Sequence, residues 1–216
     1  MADGRKLRGD RTRESVLGPG VALATVKGLE GFSFAELAEA SGVSKAGIAT
    51  LFGSKQELQT AIAARARQIL DERVFGPVLA APRGLSRLVT LGEAWLDYLA
   101  DPHLRGGCFF AAAFFELDAQ PGPLRELVRD DMRRWITGIQ AMIEDGQANG
   151  EIVDAVNAGD EAFDFFSIGL TANAMIQLGG VDRPAERARR IWGQHVDRLR
   201  KRPARGRSRR AAGTRP

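Results

Sequence analysis

The sequence predicts an all-α protein, and three observations carry that reading. Alanine and leucine abound while β-branched residues are sparse and Tyr98 is the single tyrosine, a balance that favours helix over sheet. Apolar residues recur at three- and four-residue spacing in one segment after another. Between those segments stand helix stops and starts: glycines, prolines and Ser or Asp residues suited to capping. At 216 residues, 44% of them apolar, the chain has the material for a small domain joined to a larger one.

Taken in order, residues 1–10 read as a flexible basic arm. The first helix carries Val16, Leu17, Val21, Leu23, Ala24 and Val26 and ends at Gly28, placed as a C-terminal cap. Pro19, flanked by Gly18 and Gly20, either kinks this helix or marks where its regular part begins, because proline lacks a donor and clashes with the preceding turn. Ser33 caps a second helix. Glu36 three residues later completes a capping box, with Phe32 and Leu37 spaced for a hydrophobic staple. Gly42 stops it. Ser44 caps a third helix through Phe52, broken by Gly53 and Ser54. A fourth begins near Lys55 and carries Leu58, Ile62, Ala66, Ile69 and Leu70.

Gly76-Pro77 and the stretch from Ala81 to Gly84 read as a turn or a tightly broken helix. A helix over 85–100 follows with Leu88, Leu91, Trp95 and Leu99, closed by Asp101-Pro102. His103 to Gly107 is a loop, Phe109 to Leu117 a buried helix, and Pro121-Gly122-Pro123 a break. Leu124 to Gly146 is helical, with Leu127, Val128, Met132, Trp135, Ile136, Ile139 and Ile143 as its apolar set. Gly150 to Val153 turns into a long apolar helix from Asp160 to Leu178. Asp182-Arg183-Pro184 opens the last helix, to about Leu199. Residues 200–216 lack apolar periodicity and read as a disordered basic tail.

Charge and residue usage narrow the function. The formal net charge is +4, yet nine lysines and arginines and no acid follow Asp197. The body is therefore acidic with two basic ends, which suits local contact with a polyanion or plain solubilising termini. A lone cysteine, Cys108, makes neither an internal disulfide nor a cysteine zinc site. No stretch is long and apolar enough to span a membrane, since Phe109 to Phe115 is short and Glu116 ends it. The basic start carries no apolar signal segment, so a cytoplasmic protein is expected. There is no glycine-rich phosphate loop and no His-x-x-x-His pair. His103 and Cys108 are joined by a glycine-rich loop with no orienting carboxylate, so no enzyme, catalytic residue, metal or cofactor is expected.

The second and third helices, joined at Gly42, form a helix-turn-helix in which the first braces the second and the second fits a DNA major groove. Phe34, Leu37, Ala38, Val43, Ile48 and Phe52 fold inward and set the angle. Lys45, Ala46, Gly47, Ala49 and Thr50 are left facing outward. Gly47 permits close backbone approach, and Thr50 offers a hydroxyl or a methyl to a base edge. Ser44 and the amides after it suit a phosphate at a helix N-terminus, and Lys55 reaches a phosphate from the next helix. Pattern alone also fits an ordinary helical hairpin within a core.

The run Ala38-Glu39-Ala40-Ser41-Gly42-Val43-Ser44-Lys45-Ala46-Gly47, followed by Phe52-Gly53-Ser54-Lys55-Gln56-Glu57-Leu58, resembles the TetR family of bacterial repressors from about Arg11 to Ala64. Arg105 to Glu116 and Pro121 to Arg125 resemble one subgroup of it. The resemblance implies an N-terminal three-helix helix-turn-helix DNA-binding domain at 11–55. A helical-bundle ligand-binding and dimerisation domain follows at 56–199. It implies that Ser33 caps the supporting helix near phosphate, that Ser44 and Lys45 contact the backbone, that Gly47, Ala49 and Thr50 line the groove, and that Lys55 clamps a phosphate. Ala49 and Leu51 depart from the family's usual aromatic and tyrosine or histidine, which hydrogen-bond to DNA. The implied function is a ligand-responsive, sequence-specific repressor bound as a homodimer to a near-palindromic operator. The alternative is a helical protein-interaction module that has lost specific DNA binding.

In the larger domain, Phe163, Phe166, Leu170, Ala174 and Leu178 form an apolar stripe suited to a four-helix dimer interface, or to the core of one subunit. Trp95, Phe109, Phe110, Phe114, Phe115, Met132, Trp135 and Met142 supply an aromatic and methionine payload. It serves either as core or as the wall of a cavity for a small apolar effector. The resemblance favours a cavity, with Trp95, Tyr98, Cys108, Phe109, Phe114, Trp135, Asn173 and Gln177 as its candidate lining. The apolar neighbourhood of Cys108 argues against a redox-reactive thiolate.

Overall fold

The computed structural model describes residues 2–201, with side-chain positions from Arg11 onward. Within them run ten α-helices: α1 (Ala2–Lys27), α2 (Phe34–Ser41), α3 (Lys45–Phe52), α4 (Lys55–Leu70), α5 (Gly76–Ala80), α6 (Leu85–Leu99), α7 (Phe109–Leu117), α8 (Pro123–Ala148), α9 (Ala158–Leu178) and α10 (Pro184–Leu199). Among the described residues there is no sheet, only a single antiparallel bridge between Ile152 and Arg200. No described helix is long and apolar enough to cross a membrane.

Three expectations need correction. The segment expected to be an arm is helical from Ala2 and continuous with α1, because Arg, Lys and Leu favour helix and no breaker precedes Gly18 other than Gly4 and Gly9. The same helix is continuous through Pro19, so its regular part does not begin there. Pro19 removes the bond to the Ser15 carbonyl, but Ser15 is exposed and water can serve it. Gly76-Pro77 does not end a helix either. A π-helical turn over Asp71–Phe75 joins α4 to α5. The wider turn shifts the register, so Pro77 enters at the first turn of α5, where no donor is required. The chain turns only at 81–84, where Gly84 takes a φ of 94°. Of the expected tail, residues 202–216 lie outside the described residues. Arg200 and Lys201 are pinned, Lys201 N–H donating to the Glu151 carbonyl at 2.7 Å.

The core divides along the chain. Val16, Leu17, Leu29, Phe32, Leu37, Ile48, Phe52, Leu58 and Ile62 are buried among α1–α4. Gly20 lets α1 press on α4, since a Cβ there would lie 2.8 Å from Ile62 Cδ1. In the bundle, α8 packs on α9, and α10 on both α6 and α9. Two glycines make room for tryptophans between these helices. A Cβ on Gly92 would strike the Trp192 indole at 2.3 Å, and one on Gly169 would strike the Trp95 ring at 2.0 Å.

Candidate nucleic-acid interface and the cavity behind it

The caps read from the sequence set the helix-turn-helix. Ser33 Oγ accepts the Glu36 N–H at 3.2 Å, and Glu36 Oε2 accepts the Ser33 N–H at 2.8 Å, closing the capping box. Lys27 reaches over from α1 to pair with the same carboxylate. The Lys27 ammonium, aided by the Ser33 donors, pulls Glu36 down to about 2. Gly42 turns in the left-handed region at φ 69° and donates its N–H to the Ala38 carbonyl at 2.9 Å. Ser44 Oγ then accepts the Gly47 N–H at 3.1 Å and starts α3.

Leu37 and Ile48 are fully buried and Phe52 nearly so, which fixes α3 against α2 and α1. Lys45, Ala46, Ala49 and Thr50 are exposed, Gly47 half-buried, and Ser33, Ser44 and Lys55 exposed. By helical geometry, Ala46 and Thr50 stand opposite Ile48 and Phe52, while Ala49 lies at the flank and Lys45 is exposed in the first turn. Lys45 pairs with no acid among the described residues. The Thr50 hydroxyl donates to the Ala46 carbonyl at 2.9 Å, so its methyl and an oxygen lone pair are what it presents outward. Lys55 is engaged: its ammonium lies 2.6 Å from Glu30 Oε2, and it also donates to the Glu30 carbonyl. That Lys55 contact, with Gln59 donating to Glu30 Oε1 at 2.7 Å, lowers the Glu30 carboxyl below the usual range.

Sequence reading missed Arg13. Its guanidinium donates to the Leu51 carbonyl at 3.1 Å and lies 4.4 Å over the Phe52 ring. It therefore satisfies the C-terminal end of α3 from α1. Glu116 of α7 was missed as well. Its two carboxylate oxygens accept the Leu29 and Glu30 N–H groups at 2.8 and 3.0 Å. Gly28, at φ 83°, leaves the room: a Cβ there would meet the same carboxylate. The Thr25 hydroxyl, donating to the Arg105 carbonyl at 2.7 Å, ties α1 to the loop before α7.

Behind α7 lies a narrow cavity between α6, α7, α8 and α9. Four of the eight expected lining residues are there: Trp95, Cys108, Phe114 and Trp135. Phe110, Ala111, Val128, Asp131, Met132, Phe166 and Leu170 complete it. Its free space, about 20 Å³, holds one water molecule. Tyr98 is buried elsewhere, with Arg73 over its ring at 5.1 Å. Phe109 is buried outside the lining, and Gln177 is exposed. Asn173 instead accepts the Cys108 N–H at 2.9 Å, fixing the start of α7. Burial pushes the Cys108 thiol up to about 11, in keeping with an inert thiol.

The stripe expected for dimerisation divides. Phe166 is 8% exposed and stacks on Trp95 at 6.0 Å, and Leu170 also lines the cavity. Phe166 lies about 60° around the helix from Phe163, toward α6 and α8, and Leu170 is half-buried beside it. Ala174 is half-buried. Phe163 at 62% and Leu178 at 82% exposure stand outward. A groove between α9 and α10 is lined in part by Ile168, Met175, Ala188 and Ile191.

Asp131 was the largest omission. It is 1% exposed, and its Oδ1 takes the guanidinium of Arg67 from α4 and, at 3.1 Å, that of Arg134. Desolvation raises its pKa against the pull of Arg67. The signal was present: Asp131 falls on the apolar side of α8, between Val128 and Trp135.

Comparison with known proteins agrees with this geometry. Residues 19–66 match the family described as bacterial regulatory proteins, tetR family. Residues 84–192 match the tetracyclin repressor-like C-terminal domain. A TetR transcriptional regulator from Chloroflexus aurantiacus is 26% identical, covering 90% of this chain and 99% of its own at a TM-score of 0.82. A transcriptional regulator from Saccharomonospora viridis, solved with choline, is 20% identical over 89% of this chain and all of its own, with a TM-score of 0.76. AibR, solved with isovaleryl coenzyme A and operator DNA, is 18% identical over 85% of this chain and 97% of its own, with a TM-score of 0.69. No curated protein matches the chain.

Proposed function

Because the chain belongs to the TetR family of DNA-binding transcriptional regulators, we propose that it is a ligand-responsive repressor, reading a near-palindromic operator as a homodimer. The observation that carries this is the capped, braced α3. Buried Leu37, Ile48 and Phe52 hold it rigid while Lys45, Ala46, Ala49 and Thr50 stay open to a groove. In this reading residues 11–55 form the DNA-binding domain and 56–199 the sensing and dimerisation domain. Ser33, Ser44 and Lys45 position the phosphate backbone; Gly47, Ala49 and Thr50 approach base edges. Lys55 joins them by leaving Glu30 for a phosphate.

Two polar links suit the transmission of ligand binding. Asp131 in the cavity wall holds Arg67 on α4, the helix that leads out of the reading head. Glu116 on α7, whose Phe110 and Phe114 wall the same cavity, holds the amides of Leu29 and Glu30. A ligand larger than water must spread the cavity. It would thereby shift α7 or α8, and with them the spacing of two heads whose DNA half-sites lie a helical turn or a multiple apart. The exposed Phe163, Leu178 and Ile191 supply the apolar dimer face.

Selection of bound duplexes from a random pool tests this. Two inverted half-sites centred about 10 bp or a multiple apart are expected. Enrichment of no sequence would favour a protein-interaction module, the reading that Ala49 and Leu51 support by offering bases no hydrogen bond.

A further inference from the structure

Two buried polar atoms on residues of the cavity wall have no partner: the indole Nε1 of Trp95 and Oδ2 of Asp131. Both residues are almost wholly buried, at 2% and 1% exposure, and both line the cavity. Buried polar groups are ordinarily paired, and this fold pairs the comparable atom nearby, Trp192 Nε1 donating to the Leu88 carbonyl at 3.2 Å. The two orphans are of opposite kind. An indole nitrogen only donates, and a carboxylate oxygen accepts. Both residues meet Trp135: Asp131 is one turn before it on α8, and the Trp95 ring packs 4.4 Å from its ring.

Charge around the pair is already balanced. Asp131 Oδ1 serves Arg67 and Arg134, and Arg67 is shared with Asp71 at 3.2 Å. Two guanidinium groups face two carboxylates, so the cavity asks for no net charge. The remaining wall is apolar and largely aromatic, with Phe110, Phe114 and Phe166 beside the two tryptophans.

We infer that the cavity, spread from its resting volume of about 20 Å³, receives a neutral, predominantly apolar aromatic molecule bearing one hydroxyl, a phenol or an aromatic alcohol. Its O–H donates to Asp131 Oδ2, and its oxygen accepts from Trp95 Nε1–H. The aromatic body lies against Trp135 and Phe166. Such a ligand satisfies both orphans with a single group, which a hydrocarbon or a tetraalkylammonium ion without a hydroxyl cannot. The inference rests on the ligand-responsive reading above and names the class of effector. It also sets where the signal starts, because the hydroxyl engages the carboxylate that holds Arg67.

The full chain is titrated with phenol, toluene and tetramethylammonium, following tryptophan fluorescence and heat. Phenol is expected to bind saturably and at least tenfold more tightly than toluene, with tetramethylammonium weaker than phenol. Trp95→Phe keeps an aromatic ring and removes the N–H, so it should cut the phenol-to-toluene ratio several-fold whatever it does to cavity size. Asp131→Asn should cut the ratio too, but it strips charge from Arg67 and can unfold the chain, so the tryptophan variant decides. Toluene binding as well as phenol, tetramethylammonium binding more tightly, an unchanged ratio in Trp95→Phe, or no saturable binding at all would overturn the inference. Operator binding measured on the same samples separates the two readings. Specific DNA binding without phenol binding defeats only the ligand class. Phenol binding without specific DNA binding defeats the repressor reading.

Discussion

The contact of α1 with α4 at Gly20 yields a sharp prediction. Replacing a helical glycine by alanine ordinarily stabilises by about 1 kcal/mol, and Gly193→Ala should do so, because nothing lies within 4 Å of its new Cβ. At Gly20 the same Cβ would lie 2.8 Å from Ile62 Cδ1 and 2.9 Å from Ile62 Cγ1. Ile62 is fully buried, so its side chain has no free space to enter. Overpacking of this kind costs about 1–3 kcal/mol, leaving Gly20→Ala destabilised by about 0–2 kcal/mol after the helical gain. The two variants should therefore differ by about 1–3 kcal/mol. In a chain of this size that is about 2–4 °C of Tm for each kcal/mol. Thermal and urea unfolding at one fixed protein concentration reads the difference. Ile62→Val deletes Cδ1, so in the Gly20→Ala background it should cost less than alone, a coupling of about 1 kcal/mol. Equal stabilisation of Gly20→Ala and Gly193→Ala, with additive behaviour of the pair, would refute the close approach.

Three further outcomes follow from the same structure. Lys55→Ala should weaken binding to every duplex alike and flatten the salt dependence by about 0.9 in slope for each lost contact, about two per dimer, in salt titrations by anisotropy. Glu30→Gln, which releases Lys55 from its 2.6 Å partner, should instead tighten binding. Glu36, held down to about 2 by Lys27 and Ser33, contributes stability that is full above about pH 4.5 and lost as pH falls toward 2. Stability measured against pH should show Glu36→Gln less stable than the parent at pH 6, with the gap closing through that window. An unchanged gap would rule out stabilisation by the ionised Glu36 paired with Lys27. Phe163→Asp or Leu178→Asp should shift light-scattering mass toward the monomer, since both side chains stand outward. Phe166→Leu, on a residue facing the cavity, should leave the mass unchanged.

The local grammar of the reading head was legible in the sequence, because each device spans few residues. Ser33 with Glu36, Gly42 and Ser44 sit where the spacing put them, and the buried set of Leu37, Ile48 and Phe52 follows from a 3.6-residue period. What escaped was long-range or one-sided. Glu116 meets Leu29 and Arg67 meets Asp131 across 87 and 64 residues, and no periodicity announces such pairs. Gly20 looked like a weakness beside Pro19 and proved to be a packing site. The long apolar helix α9 hid its orientation because both its faces are apolar. Phe163 and Phe166 looked equivalent there until α6 and α8 fixed which one turns inward. Asp131 was readable as a charged residue on an apolar stripe, yet only its partners explain why it lies there.

If the outer face of α3 reads DNA, its side chains must carry the discrimination between sequences. A mobility-shift titration with duplex from the chain's own upstream intergenic region, against a scrambled competitor, tests it most directly. The parent is compared with a Lys45→Ala/Thr50→Ala variant and with a chain ending at Lys201. The parent and the shortened chain should resist the scrambled competitor alike, and the α3 variant should lose that discrimination while keeping its fold by circular dichroism. Discrimination that survives in the α3 variant, or that disappears only when the basic tail is removed, would contradict it.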